Sequence, residues 1–286
     1  MKKALLTALA LLAFAAPSAA LADDLVIATG SESGTYEQLG VEIGKQINSV
    51  GKKKKVEFDV EILNTTGSGE NIDLFNEGEA NIIIVQADAL NVVPPTASFK
   101  SKTLHRETVW WLYNTKNNID DLDEMPGSKA KMVVIDGSGA IYTMRNFAQE
   151  DSDYQEPLDK AIRADDLEDA FDLVCEGKFG QNKVAGLLYV GGSLPKEIRE
   201  DYSGCVSVGE ATDSDFNDSK DINGDKLYEN CEIASALYSP LKGSSSFGKE
   251  DTVCVRAMAV FSTDFEDKAE FKVVRKGINK VASKYR

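Results

Sequence analysis

The sequence predicts an α/β fold of two units that face each other across a cleft. Short apolar strands alternate with amphipathic helices along most of the 286 residues. Glycine-rich turns directly follow several of these strands. In open α/β sheets, ligands gather at the carboxyl ends of the strands, where such turns lie. The two units are therefore expected to line a cleft with backbone N–H groups and hydroxyls.

The first unit is predicted to contain three strand–turn–helix repeats. Leu25–Ala28 forms a short apolar strand, and the turn "TGSESGTY" follows it. A helix comes next, because apolar residues recur at three- and four-residue steps from Tyr36 to Ile47. The basic run Lys52–Lys55 is predicted to be a solvated turn. The second repeat joins the alternating strand Val56–Leu63 to "IDLFNEGEA" through "NTTGSGEN", and the third consists of "NIIIVQ" and "ADAL".

The second unit repeats this pattern. "ETVWWLYNT" is predicted to be a strand, and "KMVVIDGSGA" a strand that passes through a glycine turn into a helix around Thr143–Glu150. "LEDAFDLVCEG" and "PKEIREDY" read as helices, and "KVAGLLYVGG" and "CVSVGEA" as strands. Thr212–Lys226 is dense in Asp, Asn, Ser and Gly and is expected to be a solvated loop. "TVCVRAMAVFST" is a further strand, and Phe265–Arg286 is a terminal helix.

The amino terminus predicts export to the periplasm. Lys2 and Lys3 precede the apolar stretch Ala4–Ala16, and "ALA" at 20–22 is a small-residue cleavage pattern, so a signal peptide is expected to be cleaved after Ala22. The alternative, a membrane helix, is disfavoured because the run is short and ends at Pro17. The net charge of −15 argues against nucleic acid and anionic membranes as partners.

The cysteines agree with an exported protein. Cys175, Cys205, Cys231 and Cys254 form an even set in the second half of the chain. Their spacing matches no metal-binding pattern, and His105 is the only histidine. Two disulfides are expected. The sequence leaves all three possible pairings open.

No set of residues indicates catalysis or a cofactor. "GSESGTY" lacks the lysine of a P-loop and the spacing of a dinucleotide-binding motif. His105 stands in "KTLHRE", interpreted as a basic loop without an acidic partner, and the sequence contains no G-x-S-x-G elbow. "DINGD" hints at a calcium loop, but Ser219 and Asn230 occupy its first and last ligand positions. The protein is therefore not expected to be an enzyme or to hold a metal or cofactor.

Anion capture by backbone donors fits the turns better. A helix N-terminus offers unpaired N–H groups and a partial positive charge, which suit a carboxylate. Ser31, Ser33 and Thr35 add hydroxyl donors, and Gly34 allows close approach of the backbone. The alternative is that these residues only cap helices. Because "TGSESGTY", "TTGSGEN" and "DGSGA" all follow strands, the repetition favours a ligand role.

The motifs resemble a known family. "IATGSESGTYEQLGVEIGKQIN", "NTTGSGENIDLFNEGEANIIIVQAD", "DGSGA" and "VGGSLPKEIRE" are similar to the TAXI-type solute-binding proteins of tripartite ATP-independent (TRAP) transporters. The resemblance covers nearly all of the mature chain. It implies a type II periplasmic-binding-protein fold, in which two lobes close on a ligand about a hinge. It also implies a monomeric receptor that delivers a small, anionic solute or amino acid, of the glutamate, glutamine or 2-oxo acid class, to TRAP membrane subunits.

The resemblance also implies the ligand-binding residues and the lobes. The pocket is expected to be formed by Gly30, Ser31, Gly34, Thr35, Tyr36, Ser68, Gln86, Ser138, Gly139 and Ala140. The turn "GSGAIY" departs from the family pattern, because Ala140 lacks a hydroxyl and Ile141 stands where the family often has Arg. Lobe 1 is predicted to comprise residues 23–105 and 264–286, and lobe 2 residues 106–263.

Two other functions remain open from the sequence. The same fold would serve an exported sensor that presents a solute to a membrane-bound kinase or chemoreceptor. The altered "GSGAIY" turn is the one feature that favours a surface antigen without ligand-binding activity.

Overall fold

The structure, a computed structural model, describes residues 23–32 and 34–285. The predicted signal peptide, residues 1–22, lies outside the described residues, as does Ser33. The strands are β1 Asp23–Ala28, β2 Phe58–Leu63, β3 Ile82–Gln86, β4 Phe99–Asn114, β5 Lys131–Ile135, β6 Ile162–Ala164, β7 Lys178–Phe179, β8 Asn182–Gly191, β9 Val206–Gly209, β10 Tyr228–Ala234, β11 Lys242–Gly243 and β12 Lys249–Ser262. The helices are α1 Thr35–Lys54, α2 Ser68–Glu77, α3 Ala87–Val92, α4 Gly139–Glu150, α5 Gln155–Asp159, α6 Leu167–Glu176, α7 Lys196–Asp201, α8 Ser235–Tyr238 and α9 Lys268–Lys284.

The strands form one continuous twelve-stranded sheet with two α/β halves. In the first, the order is β2-β1-β3-β12-β4, with β1, β2 and β3 parallel and β12 antiparallel to both β3 and β4. In the second, β4 continues into the order β4-β8-β5-β6, with β5 parallel to β6 and β8. Strand β9 also pairs with β4, and β10 pairs with β12.

Two long strands run through both halves of the sheet. Strand β4 pairs with β12 up to Arg106 and with β8 from Thr108 onward, so it changes partners at Glu107. Strand β12 pairs with β10 up to Val255 and with β3 and β4 beyond it. These changes of partner mark the connection between two α/β lobes. The predicted fold class, a type II periplasmic-binding-protein fold with two lobes and a hinge, is confirmed, whereas the predicted lobe boundaries at 105/106 and 263/264 remain a prediction.

Apolar clusters hold each lobe together. In lobe 1, Ile27 of β1 and Ile84 of β3 pack against Ile43 of α1 and Ile278 of α9, and all four are fully buried. In lobe 2, Trp110 of β4 belongs to a cluster with residues of α6 and β8. Full burial of one such aliphatic side chain contributes about 1.5–3 kcal/mol. The clusters cover the sheet faces, which leaves the carboxyl ends of the strands for a site.

Two local predictions were wrong. The run Lys52–Lys55 is not a turn: α1 continues through Lys54, and Lys55 ends it in the left-handed conformation with its N–H bonded to the Gly51 carbonyl. Positive side chains are favourable there because they face the negative end of the helix dipole. The segment around His105 is not a loop, because β4 begins at Phe99.

The cysteines pair as two disulfides in lobe 2. Cys175–Cys205 joins the end of α6 to the residue before β9, and Cys231–Cys254 joins β10 to β12. The predicted disulfides are thus present, and the pairing that the sequence left open is resolved. Disulfides of this kind persist in oxidising compartments. None of the helices described by the structure is long and apolar enough to span a membrane.

Candidate ligand-binding site

A cleft of about 480 Å³ lies between the lobes, at the carboxyl ends of their strands. Lobe 1 contributes the turns after β1 and β2 and the last residue of β3. Lobe 2 contributes the turns after β5 and β6 and the end of β8, and Glu107 of β4 lies between the two groups. Because parallel strands end at the same edge of a sheet, residues distant in sequence meet here.

All but one of the sequence-predicted residues line this cleft. They are Gly30, Ser31, Gly34, Thr35, Tyr36, Ser68, Gln86, Ser138 and Gly139. Ala140 does not line it: the methyl group is buried in the apolar core, so the missing hydroxyl of "GSGAIY" does not alter the lining. The neighbouring Ile141 is buried in the same core. Ser33 lies outside the described residues.

Three helices begin at the cleft with open N-termini. The residues that precede α1, α2 and α4 are Gly34, Gly67 and Ser138, and all three line the cleft. Two of them have no side chain to act as a cap, and Ser138 makes no capping hydrogen bond to a described residue. By contrast, the Asp267 side chain caps α9. The N–H groups of Thr35 and Tyr36 at the start of α1 and the first-turn N–H groups of α2 and α4 are therefore available to an anionic group.

Two buried polar atoms in the cleft have no hydrogen-bond partner among the described residues. They are Gln86 Oε1 and Ser138 Oγ. The Gln86 side chain is held from both sides. On one side, its Nε2 donates a hydrogen bond to Glu107 Oε2 (3.3 Å). On the other side, Gly139 packs so closely against its Oε1 that a Cβ added to Gly139 would lie 1.6 Å from this oxygen. An unpaired buried polar group costs about 1–3 kcal/mol, so such atoms are typical of a site that receives a partner.

Glu107 is the residue that sequence reasoning missed. Its side chain is only 5% exposed, and its Oε2 accepts hydrogen bonds from the Tyr36 hydroxyl (2.7 Å) and from Gln86 Nε2. Its Oε1 lies 3.7 Å from His105 Nε2. No motif marks Glu107 in the sequence. The one signal that could have indicated Glu107 is its position in β4, directly before the apolar part of a strand that runs from one lobe to the other.

The negative charge of Glu107 contributes to the raised pKa values of two neighbouring tyrosines. Burial, followed by the nearby Glu107 carboxylate, raises the pKa of Tyr36 well above its usual value. The same two causes raise the pKa of Tyr189 to about 12. Both tyrosines line the cleft. Because their pKa values are raised, both hydroxyls keep their protons at neutral pH and can act as hydrogen-bond donors.

The side chains that line the cleft carry negative charge. Glu107 lies inside, and Asp136, Asp165 and Asp166 line the lobe 2 side. Among the described residues, no lysine or arginine lines the cleft. The positive potential there comes from the helix N-termini, each equivalent to roughly half an elementary charge.

A second buried carboxylate lies behind the cleft. Asp88 of α3 accepts hydrogen bonds at Oδ2 from Thr143 of α4 (2.6 Å) and from the Tyr228 hydroxyl (3.0 Å). Burial raises its pKa from 3.8 to about 6, although these hydrogen bonds lower it. Because α3 follows a lobe 1 strand and α4 follows a lobe 2 strand, Asp88 joins the two lobes directly.

His105 has a structural setting. It is part of β4, and its ring contacts that of Tyr36 edge-on, with centroids 6.5 Å apart. Neither ring nitrogen has a hydrogen-bond partner among the described residues. The interpretation of His105 as lacking an acidic partner was wrong, since Glu107 is adjacent. No described serine, threonine or cysteine hydrogen-bonds to the ring, so the described residues show no nucleophile–base pair.

The lobes and the cleft define a ligand-binding domain of the periplasmic-binding-protein type. The chain belongs to the NMT1-like family, whose model matches residues 27–184, more than half of the sequence. The matched segment contains the turns after β1, β2 and β5 and also Glu107. Both the family and the fold are those of ligand-binding domains.

Similar solved structures are distant in sequence. The VFT2 domain of Bordetella pertussis BvgS, as a double mutant, is 12% identical, with 92% of this chain and 93% of that chain covered and a TM-score of 0.47. The GluR0 ligand-binding core in complex with L-glutamate is 11% identical, with 93% and 99% covered and a TM-score of 0.48. The effector-binding domain of a BenM variant is 11% identical, with 92% and 95% covered and a TM-score of 0.46. None of the curated proteins matches the sequence significantly.

Proposed function

We propose that the protein is a periplasmic solute-binding receptor of the TAXI type. It captures a small carboxylate-bearing solute, of the amino acid or 2-oxo acid class, between its lobes and delivers it to the membrane subunits of a TRAP transporter. The observation that carries this proposal is the convergence of three open helix N-termini on one cleft. The TAXI-like motifs quoted above support the choice of transporter.

The N-termini come from both lobes, which is what capture by closure requires. Helices α1 and α2 follow lobe 1 strands, and α4 follows a lobe 2 strand. A carboxylate held between them accepts hydrogen bonds from both lobes at once. Each charge-assisted hydrogen bond contributes about 1.5–3 kcal/mol. The ligand thereby links the lobes and stabilises the closed form relative to an open one.

The strands β4 and β12 provide the hinge in this proposal. Both run through the two lobes and change partners at Glu107 and near Val255. Rotation about these points would separate the turns after β1 and β2 from those after β5 and β6. Strands that bend at such points while the lobes stay rigid are typical of hinge closure.

A ligand panel tests the binding claim. Mature protein, unfolded to remove bound solute and refolded under oxidising conditions, is screened by thermal shift against amino acids, 2-oxo acids and dicarboxylates. A solute at about 100 times its Kd stabilises by about 2.7 kcal/mol, which raises Tm by roughly 5–10 °C at this size. A selective shift is expected. No shift with any carboxylate, in protein shown to be folded by near-UV circular dichroism, would overturn the proposal.

An uptake experiment tests the transporter claim. Cells that lack the gene are compared with the parent strain for uptake of the radiolabelled solute that gives the largest shift, with and without a deletion of the TRAP permease. Both deletions are expected to abolish high-affinity uptake to the same degree. Uptake that persists without the permease, together with a receptor-dependent change in kinase or chemotaxis output, would assign the sensor function instead.

A further inference from the structure

We infer that Glu107 and Gln86 bind an ammonium group of the solute, so that the receptor selects amino acids with neutral or basic side chains over 2-oxo acids and dicarboxylates. This inference rests on the proposed function and narrows its ligand class. It assigns the two ends of the ligand to different parts of the cleft: the carboxylate to the helix N-termini and the ammonium to Glu107.

Among the described residues, Glu107 accepts hydrogen bonds at only one of its two carboxylate oxygens. Both of its donors, the Tyr36 hydroxyl and Gln86 Nε2, bind Oε2. No described residue donates a hydrogen bond to Oε1, whose nearest basic atom is His105 Nε2 at 3.7 Å. A carboxylate whose function is only structural would be expected to have both oxygens bonded by the protein.

The amide oxygen of Gln86 has no hydrogen-bond partner among the described residues. Gln86 is 2% exposed, its side chain is tied to Glu107 through Nε2, and its Oε1 accepts no hydrogen bond from the described residues. Two acceptors, Glu107 Oε1 and Gln86 Oε1, therefore belong to linked side chains in one cleft. An ammonium group has three donors and no acceptor, so it pairs with both oxygens.

The charge of the cleft lining also favours a bound ammonium group. A carboxylate as buried as Glu107 is normally paired with a cation. No lysine or arginine is among the described residues that line the cleft, so the protein's described lining supplies no such partner. A bound ammonium supplies it.

The same charges exclude a second carboxylate on the ligand. Asp136, Asp165 and Asp166 line the lobe 2 side of the cleft. The N-terminus of α6, which also opens there, is already capped by Asp166, whose Oδ1 accepts from the Asp169 N–H (2.9 Å). An acidic side chain on the ligand would meet these carboxylates without a compensating cation, whereas a neutral or basic one would not.

The test uses matched pairs of solutes that differ at one group. Isothermal titration calorimetry on the stripped, disulfide-intact protein compares alanine with pyruvate, leucine with 4-methyl-2-oxopentanoate, and glutamine and lysine with glutamate. The amino acid is expected to bind at least 100-fold more tightly than its 2-oxo acid, and glutamine and lysine at least 100-fold more tightly than glutamate. Tighter binding of the oxo acids or of glutamate would overturn the inference while leaving the receptor proposal intact. Binding of no solute would contradict both.

Substitution of Glu107 separates recognition from packing. Glu107→Gln keeps the size and an acceptor but removes the charge, and is expected to weaken the amino acid by about 100-fold while changing the affinity for its oxo acid by less than 10-fold. The matched control is Glu229→Gln, because Glu229 is paired with Arg106 (2.6 Å) outside the cleft lining. The control should leave both affinities unchanged. An equal loss for amine and oxo acid in Glu107→Gln would assign Glu107 a structural role and overturn the inference.

Discussion

The Tyr36 hydroxyl donates a 2.7 Å hydrogen bond to Glu107 Oε2 across the base of the cleft. The two residues are 71 positions apart. Tyr36 lies in the first turn of α1, and Glu107 lies where β4 changes partners. The contact therefore ties the first glycine turn to the connection between the lobes.

Removal of the Tyr36 hydroxyl is predicted to weaken both stability and binding. Tyr36→Phe keeps the edge-on contact with His105 but removes a donor from a buried carboxylate, which costs about 1–3 kcal/mol. Urea denaturation should show this loss, and calorimetry should show about a 10-fold weaker amino acid. The control is Tyr202→Phe. The Tyr202 hydroxyl donates a hydrogen bond to Asp172 (2.6 Å), and neither residue lines the cleft. An unchanged ligand affinity in Tyr36→Phe would contradict the role assigned to this contact.

A methyl group at Gly139 is predicted to abolish binding. The added Cβ would lie 1.6 Å from Gln86 Oε1 and 2.8 Å from its Nε2, so the amide must move and its hydrogen bond to Glu107 is lost. Calorimetry of Gly139→Ala should show at least a 100-fold loss of affinity. Gly204→Ala is the matched control, because a Cβ there meets no atom within 4 Å. Retained binding in Gly139→Ala would show that the Gln86 amide does not hold the ligand.

Because of Asp88, the free energy of unfolding is predicted to decrease as the pH rises from about 4 to about 6. The pKa of Asp88 is about 6 in the folded protein, above its ordinary value of 3.8, so the folded state binds this proton more tightly than the unfolded state. The resulting stabilisation is complete below pH 4 and is lost as the pH rises through 6. Two pKa units correspond to about 3 kcal/mol.

Asp88→Asn is the variant that checks this pH dependence. Asparagine keeps an acceptor for Thr143 and Tyr228 but does not titrate, so the Asp88 contribution to the fall should disappear and the variant should be more stable than the parent at pH 7. Urea denaturation from pH 4 to pH 8 measures the difference. The pKa of Asp121 is also raised to about 6, so the variant must be compared with the parent at each pH. Asp59→Asn, at an exposed position of β2, is the control; an equal change there would contradict the assignment.

Each disulfide is predicted to stabilise lobe 2 by constraining the unfolded chain. Cys175–Cys205 and Cys231–Cys254 have sequence separations of 30 and 23 residues, for which loop entropy predicts about 3–4 kcal/mol each. Replacing both cysteines of one pair by serine should lower the free energy of unfolding by this amount in urea denaturation. Values near zero for both pairs would show that the bridges do not constrain the unfolded state.

Local patterns in the sequence predicted the elements and most of the cleft lining. The glycine turns were recognisable because strand, turn and helix follow each other within a few residues, as at Gly34 and Ser138. The wrong predictions were also local. Lys52–Lys55 looks like a turn by composition, but the packing of α1 on β1 and α9 extends the helix through Lys54.

The missing part of the site depends on contacts distant in sequence. Gln86 and Glu107 are 21 residues apart in sequence, and they meet because β3 and β4 lie on either side of β12 in the sheet. Ala140 follows two cleft residues but points into the core, because successive positions of a helix face different directions. The anionic ligand predicted from the turns alone therefore took no account of the Glu107 carboxylate, which lines the same cleft.

A structure of the complex tests the central claim most directly. The stripped protein would be crystallised with the amino acid that gives the largest thermal shift. We expect its carboxylate at the N-termini of α1, α2 and α4, and its ammonium group about 3 Å from Glu107 Oε1 and Gln86 Oε1. A solute bound outside this cleft, or one whose carboxylate faces Glu107, would contradict it.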